Sequence, residues 1–141
     1  MNFVRKLLDF VTSLFRTSRS ATSTATLHVD VIELVGEYCI TSDDGDRIYD
    51  VIHPALKVKQ RVDLDFAGVD IFASPFFNAA IGRLYADISG DELALLLKVL
   101  NVTQDGLYVL ARVIENSREY YSVSQRRRAV NESLIRHASG F

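Results

Sequence analysis

Residues 62–77 read VDLDFAGVDIFASPFF, and this stretch decides the fold class of the 141-residue chain. Apolar and charged residues alternate up to Phe66, which is typical of a β-strand with one buried face. Gly68 ends that strand, and Ser74 followed by Pro75 marks the start of a helix. The stretch therefore predicts a strand, a loop and a helix, as in an α/β domain.

The flanking sequence extends this pattern in both directions. Apolar runs predict strands over residues 27–35, 38–41, 57–66 and 93–102. Helices are expected after Ser42 (ended or bent by Pro54), from Ser74, and after Thr103 or Asp105 as the cap. The buried stripes of the last two would be Phe77, Ala80, Ile81 and Leu84, and then Leu107, Leu110, Ala111 and Ile114. We predict an α/β fold with a mixed sheet of about four or five strands and helices mainly on one face.

Both ends of the chain differ in composition from this domain. An amphipathic helix is predicted near the beginning, where apolar side chains recur at helical spacing: Phe3, Leu7, Phe10 and Leu14. A linker rich in Ser, Thr and Ala follows it. We therefore divide the chain into the amphipathic helix with its linker (residues 1–26), the α/β domain (27–121) and a basic tail (122–141).

Charge is segregated along the chain in the same way. Residues 1–26 and residues 122–141 each hold four basic residues and one acidic residue, so each end carries a net charge of +3. The whole chain carries −2, which leaves −8 on the segment between them. Because this body is acidic, nucleic-acid binding is not expected, and only the two ends could contact phosphates.

Composition and motifs exclude several classes of protein. The single cysteine, Cys39, leaves no disulfide framework and no cysteine-rich zinc site. No run approaches the ~20 apolar residues of a membrane-spanning helix, and Arg5, Lys6 and Asp9 interrupt any signal peptide. We expect a cytoplasmic protein.

Candidate catalytic and metal-binding residues have simpler explanations. Asp63 and Asp65 form a D-x-D, which we interpret as a solvated strand face or, at Asp65, as a turn cap. Residues 43–46 lack the spacing of a calcium loop, and His28, His53 and His137 fall on separate elements. Phosphate-binding, dinucleotide and nucleophile-elbow motifs are missing from the sequence. We predict no enzyme activity, no metal and no cofactor.

The opening stretch resembles the strand-to-helix centre of STAS domains, the fold of bacterial anti-sigma-factor antagonists and of the cytosolic tails of sulfate transporters. Residues 64–69, LDFAGV, followed by a serine-led helix, resemble more specifically the STAS-like family of unknown function. Residues 98–102 and the helix after them are similar to the last strand and helix of that fold. The resemblance covers about residues 27–121 and implies a STAS-like domain.

This resemblance implies a mode of action. STAS antagonists bind a partner through the surface around the helix after the central strand. In many of them, a kinase of the GHKL ATPase fold phosphorylates a serine at the start of that helix, and Ser74 matches this position. The chain departs from the antagonist pattern at Ala73, where an acidic residue is usual, and at Pro75 and Phe76, where Ser-Gly is usual. The simpler interpretation is that Ser74 only caps the helix.

The sequence therefore predicts a non-catalytic, bacterial signalling module that binds and switches a protein partner, with a GHKL-type ATPase or kinase as the implied one. The predicted partner-binding residues are Asp70, Phe72, Ser74, Phe76, Asn78 and Arg83, and Ser74 is the candidate phosphorylation site. The alternative is a self-assembling or membrane-associated structural subunit, which would use its amphipathic helix and basic tail. For residues 1–16 we favour docking on a partner, on the domain itself or on another copy over peripheral contact with a membrane.

Overall fold

The computed structural model describes residues 25–138. In that part of the chain, five strands alternate with five α-helices and one 3-10 helix. In chain order they are β1 Leu27–Asp30, α1 Val31–Val35, β2 Tyr38–Cys39, α2 Ser42–Lys57, β3 Val62–Asp65, β4 Ile71–Phe72, α3 Ser74–Ala80, the 3-10 helix Gly82–Ala86, α4 Gly90–Leu96, β5 Leu97–Leu100 and α5 Gln104–Ala138. The predicted amphipathic helix lies outside the described residues.

The strands form two small parallel sheets. The main sheet has three strands in the order β1-β3-β5, and β2 pairs with β4 separately. Every one of these pairings is parallel. The prediction of one mixed sheet of four or five strands was therefore wrong in size and in strand direction, although the α/β class is confirmed.

All four predicted strands were too long, and in two of them a helix takes several of the predicted residues. The segment 27–35 turns helical after Asp30, and the segment 57–66 becomes a strand only at Val62. In the segment 93–102, α4 continues to Leu96 before β5 begins. The Ser89 hydroxyl caps α4 by accepting the Glu92 backbone N–H at 3.2 Å. A short apolar run fits a buried strand and a buried helix equally well, so its periodicity could not separate them.

The helices cover one face of the main sheet, as predicted. That face buries Val29, Val62, Leu64, Leu97 and Val99. The opposite face carries polar side chains that remain exposed or half-buried, and in the strand register His28 lies beside Asp63, which lies beside Lys98. The alternation of buried and open residues follows from the two-residue period of a strand.

The core is centred on aromatic rings that link the main sheet to α3. The Phe66 ring centroid lies 5.6 Å from that of Phe72, 6.3 Å from that of Phe76 and 5.8 Å from that of Phe77. The predicted stripe on this helix is confirmed, since Phe77, Ala80, Ile81 and Leu84 are all buried. Part of the stripe falls in the 3-10 helix, because α3 ends at Ala80.

Helix α2 packs closely on α3. A Cβ added to Gly45 would lie 2.4 Å from the Phe76 carbonyl oxygen and 2.7 Å from the Ala79 Cβ, so glycine is needed for this approach. Thr41, rather than one of residues 42–44, caps α2 by accepting the Asp44 N–H at 3.1 Å. Pro54 lies inside α2, which continues to Lys57, so of the two predicted effects of Pro54, ending or bending the helix, the first is wrong.

The last helix, α5, is longer than the predicted domain. It begins at the predicted cap Thr103, whose hydroxyl accepts the Gly106 N–H at 3.1 Å. Leu110 and Ile114 of the predicted stripe are buried, while Leu107 and Ala111 are half-buried. The helix then continues without a break through the basic stretch to Ala138. No helix among residues 25–138 combines the length and apolar character needed to cross a membrane.

Candidate functional site

The candidate site begins at the connection between β4 and α3. Ala73 has extended backbone angles (φ −135°, ψ 153°) and is the N-cap of α3, so Ser74 is the first helical residue and Pro75 the second. The prediction that Ser74 caps the helix was therefore wrong by one residue. Ser74 is exposed, and its hydroxyl is not used for capping. The simplest structural explanation for a serine at this position is thus removed.

The β2–β4 pairing holds this connection in place. The Ala73 N–H donates to the Cys39 carbonyl at 2.9 Å, and the Asp70 N–H donates to the Glu37 carbonyl at 3.1 Å. Phe72 then stacks on Phe77, with ring centroids 5.5 Å apart and planes inclined by only 3°. Backbone pairing on one side and ring packing on the other fix where α3 starts, and with it the position of Ser74.

The predicted partner-binding residues do not all reach the surface. Asp70, Ser74 and Asn78 are exposed, and Phe72 is half-buried. Phe76 is fully buried in the aromatic core, so it cannot contact a partner directly. Phe76 and its neighbour Phe77 are both buried, because α3 packs on α2 as well as on the main sheet. The prediction that Phe76 is a surface contact was wrong.

An open groove lies beside Ser74, between α3, the start of α2 and α5. Its volume is about 610 Å³, and its walls include Pro75, Asn78, Arg83, Ser117 and Tyr120. The wall opposite α3 comes from α5, which approaches closely because residue 82 is glycine. A Cβ at Gly82 would lie 2.5 Å from the Ser117 hydroxyl oxygen. The groove therefore lies between the start of α3, next to Ser74, and α5, and no motif in the sequence indicates that these two helices meet.

Arg83 anchors a row of polar contacts along the same side. Its guanidinium donates to Asp46 at 2.7 Å and lies 4.0 Å from the centroid of the Tyr49 ring. Tyr49 stacks on His53 with centroids 4.6 Å apart, and His53 lies 2.9 Å from an Asp87 carboxylate oxygen. These contacts join α2 to the 3-10 helix and fix the Arg83 side chain at the edge of the groove.

Burial and neighbouring charges shift the pKa values of two groups in this row, Tyr49 and Asp87. Partial burial and the charge of Asp87 raise the pKa of Tyr49, against the opposing effect of Arg83. Burial would raise the pKa of Asp87, but the hydrogen bond from His53 and the charges of His53 and Lys57 outweigh it and leave that pKa below its usual value. Neither shift brings a group towards neutral pH, where a general acid or base works best.

The Cys39 thiol is buried beneath the same connection. Burial, with a contribution from the charge of Asp44, raises the pKa of Cys39 to about 12. A thiol with this pKa is almost entirely protonated at neutral pH and is a poor nucleophile. The prediction of a small buried thiol is confirmed.

One group of side chains could approach a metal ion. Ligand atoms of His28, Asp30 and Asp65 lie within 4.8 Å of one another at the open face of the main sheet. However, Asp65 Oδ1 already accepts the Ala67 N–H and the Asn101 side-chain amide, each at 2.9 Å. Asp65 is thus a turn cap, as the sequence predicted, and its contacts explain its position without an ion.

Asp65 gives the fold an acid-sensitive contact. The hydrogen bonds from Asn101 and from the Ala67 N–H lower its pKa, as does His28, against the effect of burial. A lowered pKa in the folded state stabilises the fold above the unfolded value of about 3.9, and this stabilisation is lost as the pH falls through the folded pKa. We expect the Asp65→Asn variant to lose less stability than the parent between pH 5 and pH 2.

Urea unfolding at several pH values measures this difference. Asn101→Gly is the companion variant, since it keeps the left-handed backbone at residue 101 (φ 58°) and removes only the amide donor. It should also flatten the acid dependence. An unchanged pH slope in both variants would contradict the role assigned to Asp65.

Sequence reasoning missed the groove and the row of contacts behind Arg83. Arg83 and Asp46 are 37 residues apart in the chain, and Tyr49 carries no motif that links it to either. The one available signal was Gly82, whose small size permits the approach of α5.

The family comparison fits this fold. Residues 44–107 match the family model described as STAS-like domain of unknown function (DUF4325). The matched segment runs from the first turn of α2 to the first turn of α5 and includes Ser74 and Arg83. Among curated proteins and among solved structures, no match to the chain was found. Residues 44–107 are therefore similar to a STAS-like domain of unknown function.

Proposed function

We propose that the chain is a non-catalytic regulatory module that binds a protein partner through the surface around Ser74 and is switched there. That surface consists of the exposed residues Asp70, Ser74 and Asn78, with Arg83 at the edge of the groove. The observation that carries the proposal is the exposed Ser74 hydroxyl, which stands at the start of α3 and leaves capping to Ala73.

The resemblance to anti-sigma-factor antagonists supports a GHKL-type ATPase or kinase as the partner. A phosphate on Ser74 would add about −1.5 to −2 charges at the rim of the groove. Arg83, the arginine that lines this groove, already donates to Asp46, so a phosphate on Ser74 would compete with Asp46 for it. Added negative charge would therefore weaken the binding of a partner that contacts this surface through acidic or apolar groups.

The test compares three variants of the full chain. We expect Ser74→Glu to weaken partner binding at least about tenfold, which corresponds to a loss of about 1.4 kcal/mol of binding free energy. Ser74→Ala should keep the affinity of the parent chain. Gln104→Glu is the matched control, because Gln104 is also the exposed first residue of a helix and gains the same charge. Affinity capture from the native cells identifies the partner, and calorimetry with that partner measures the change.

Two results would count against the switch. One is equal binding by the folded Ser74→Glu variant and the parent chain. The other is equal weakening by Ser74→Glu and Gln104→Glu, because the effect would then come from total charge and not from the position of Ser74. Mass spectrometry of the chain from its native cells adds a direct search for phosphate on Ser74.

A second candidate function is a self-assembling or membrane-associated subunit, and the far half of α5 favours it. Val123, Val130 and Leu134 are 40–63% exposed and recur at spacings of seven and four residues along one side of this helix. Arg126 and Arg127 flank them at a shallow groove. An apolar stripe of this kind is typical of a helix that pairs with another helix or lies on a surface.

Replacing this stripe separates the two candidates. We expect Val130→Ser with Leu134→Ser to leave the fold intact and, if the second candidate holds, to convert an oligomer into a monomer in light scattering. If the parent chain is already a monomer and does not bind anionic vesicles, the second candidate is excluded.

A further inference from the structure

A second groove, on another side of α2, is apolar inside and acidic at its rim. It lies between α1, β2 and the start of α2, with a volume of about 610 Å³. The apolar lining residues are Ile32, Val35, Tyr38 and Ile40, and the acidic ones are Glu37 and Asp44. We refer to these six residues as the acidic-rimmed groove.

The apolar side chains of this groove are unusually open to solvent. Ile32 is 38% exposed, Tyr38 51% and Ile40 41%. The patch continues onto β4, where Ile71, 48% exposed, lies opposite Tyr38 in the strand register. A contiguous apolar patch rimmed by polar residues on a small domain marks a binding site.

The charge around the groove specifies what could occupy it. Residues 30–46 contain six acidic side chains and no lysine or arginine. The next residue, Arg47, reaches Asp44 only at 4.0 Å and is largely exposed, so it offsets one of these charges weakly. Asp70 adds a further carboxylate, since its backbone N–H is bonded to the Glu37 carbonyl. An occupant should therefore combine large apolar groups with positive charge.

The chain itself contains such a segment. In residues 1–16, Phe3, Leu7, Phe10 and Leu14 recur at helical spacing, and Arg5, Lys6 and Arg16 outnumber Asp9. A helix of about 15 residues is marginal alone in water, so this segment needs a surface against which to fold. Its apolar stripe complements the apolar lining of the groove, and its net charge of +2 complements the acidic rim.

The connection is long enough for docking within one molecule. The described chain starts at Ala25, beside the beginning of β1, and the groove starts at Ile32, just past the end of that strand. The four residues of β1 span about 13 Å. Residues 17–24 can span about 26 Å when extended. A linker of this length gives the segment a high effective concentration at the groove.

We propose that residues 1–16 dock as an amphipathic helix into the acidic-rimmed groove of the same chain. Their apolar stripe covers Tyr38 and Ile40, and their basic residues face Glu37 and Asp70. This inference rests on the groove and the charges, and it does not require the proposed function at Ser74.

A spin label on the full chain tests the docking. Asn2→Cys places a reactive thiol in the segment, while the buried Cys39, with a pKa of about 12, does not compete for the reagent. We expect the nitroxide to broaden the amide signals of residues 36–40 in a dilute sample. Glu37→Lys with Asp70→Lys should reduce this broadening several-fold, and adding Arg5→Glu with Lys6→Glu should restore it.

The controls make each outcome decisive. Glu115→Lys with Glu119→Lys makes the same charge change on exposed residues of α5 and should leave the broadening unchanged. The proposal is overturned if residues 36–40 are not broadened. It is also overturned if broadening appears only between a labelled and an unlabelled copy, which means docking on a second copy. Broadening that vanishes when anionic vesicles are absent would instead assign the segment to a membrane.

Discussion

Replacing Gly45 with alanine should destabilise the domain by about 3 kcal/mol or more and lower its melting temperature by roughly 10 °C. The added methyl group would lie 2.4 Å from the Phe76 carbonyl oxygen, which belongs to the backbone of α3. Backbone cannot rotate away as a flexible side chain does, so α2 and α3 have to separate. Their separation loosens the aromatic core and moves Ser74, which stands at the beginning of α3.

Gly90→Ala is the matched control for this prediction. Gly90 is also in the first turn of a helix, but a Cβ there would lie 3.5 Å from its nearest neighbours, which is ordinary contact. Alanine favours the helix over glycine by about 0.5–1 kcal/mol, so this variant should be neutral or slightly more stable. Urea unfolding monitored by circular dichroism measures both variants. Equal stability of the two would show that the close approach of α2 and α3 is not needed.

Phe66→Ala should cost about 3–5 kcal/mol, the usual cost of removing a buried phenylalanine. Phe66 is fully buried and contacts three other phenylalanine rings, so its loss opens a cavity bounded by side chains that cannot close it together. Because Phe72 and Phe77 would lose a shared neighbour, we also expect the β4–α3 connection to exchange its amide protons faster. Hydrogen exchange at Ala73 and Phe77 measures that local effect.

Tyr108→Ala removes a similar ring from a different environment. Tyr108 is on α5 and is 51% exposed, so its removal should change stability by about 0.5 kcal/mol or less. If Phe66→Ala were no more damaging than Tyr108→Ala, the aromatic cluster would not be the centre of the core.

The sequence was most informative where local chemistry determines structure. The alternation in residues 62–65 and the stripe from Phe77 to Leu84 led directly to β3 and to the α3 surface that faces the core. The apolar run at residues 93–102 was misleading, because a short apolar run fits a helix and a strand equally well. The separate pairing of β2 with β4 depends on contact between segments that are distant in the chain, and a single sequence does not display it.

The candidate site was predictable in position but not in detail. Ser-Pro located the start of α3 to within one residue, yet only the backbone angles of Ala73 show which residue is the cap. Phe76 and Phe77 look alike in the sequence, and the structure buries both, with ring centroids 5.4 Å apart. Asp46, Tyr49 and Arg83 meet through the packing of α2 on the 3-10 helix, for which the sequence contains no local signal.

The unbroken α5 helix has a mechanical consequence. Its first turn touches the core beside Ser74, because a Cβ on Gly106 would lie 2.8 Å from the Phe72 ring. Its last 17 residues, after Tyr121, extend about 26 Å beyond that body. The far end of α5 and the turn that supports the β4–α3 connection belong to one continuous helix, which the buried Leu110, Ile114 and Ser117 fix to the body between them. A protein that holds this far end would therefore hold the Ser74 surface at a distance set by the length of the helix.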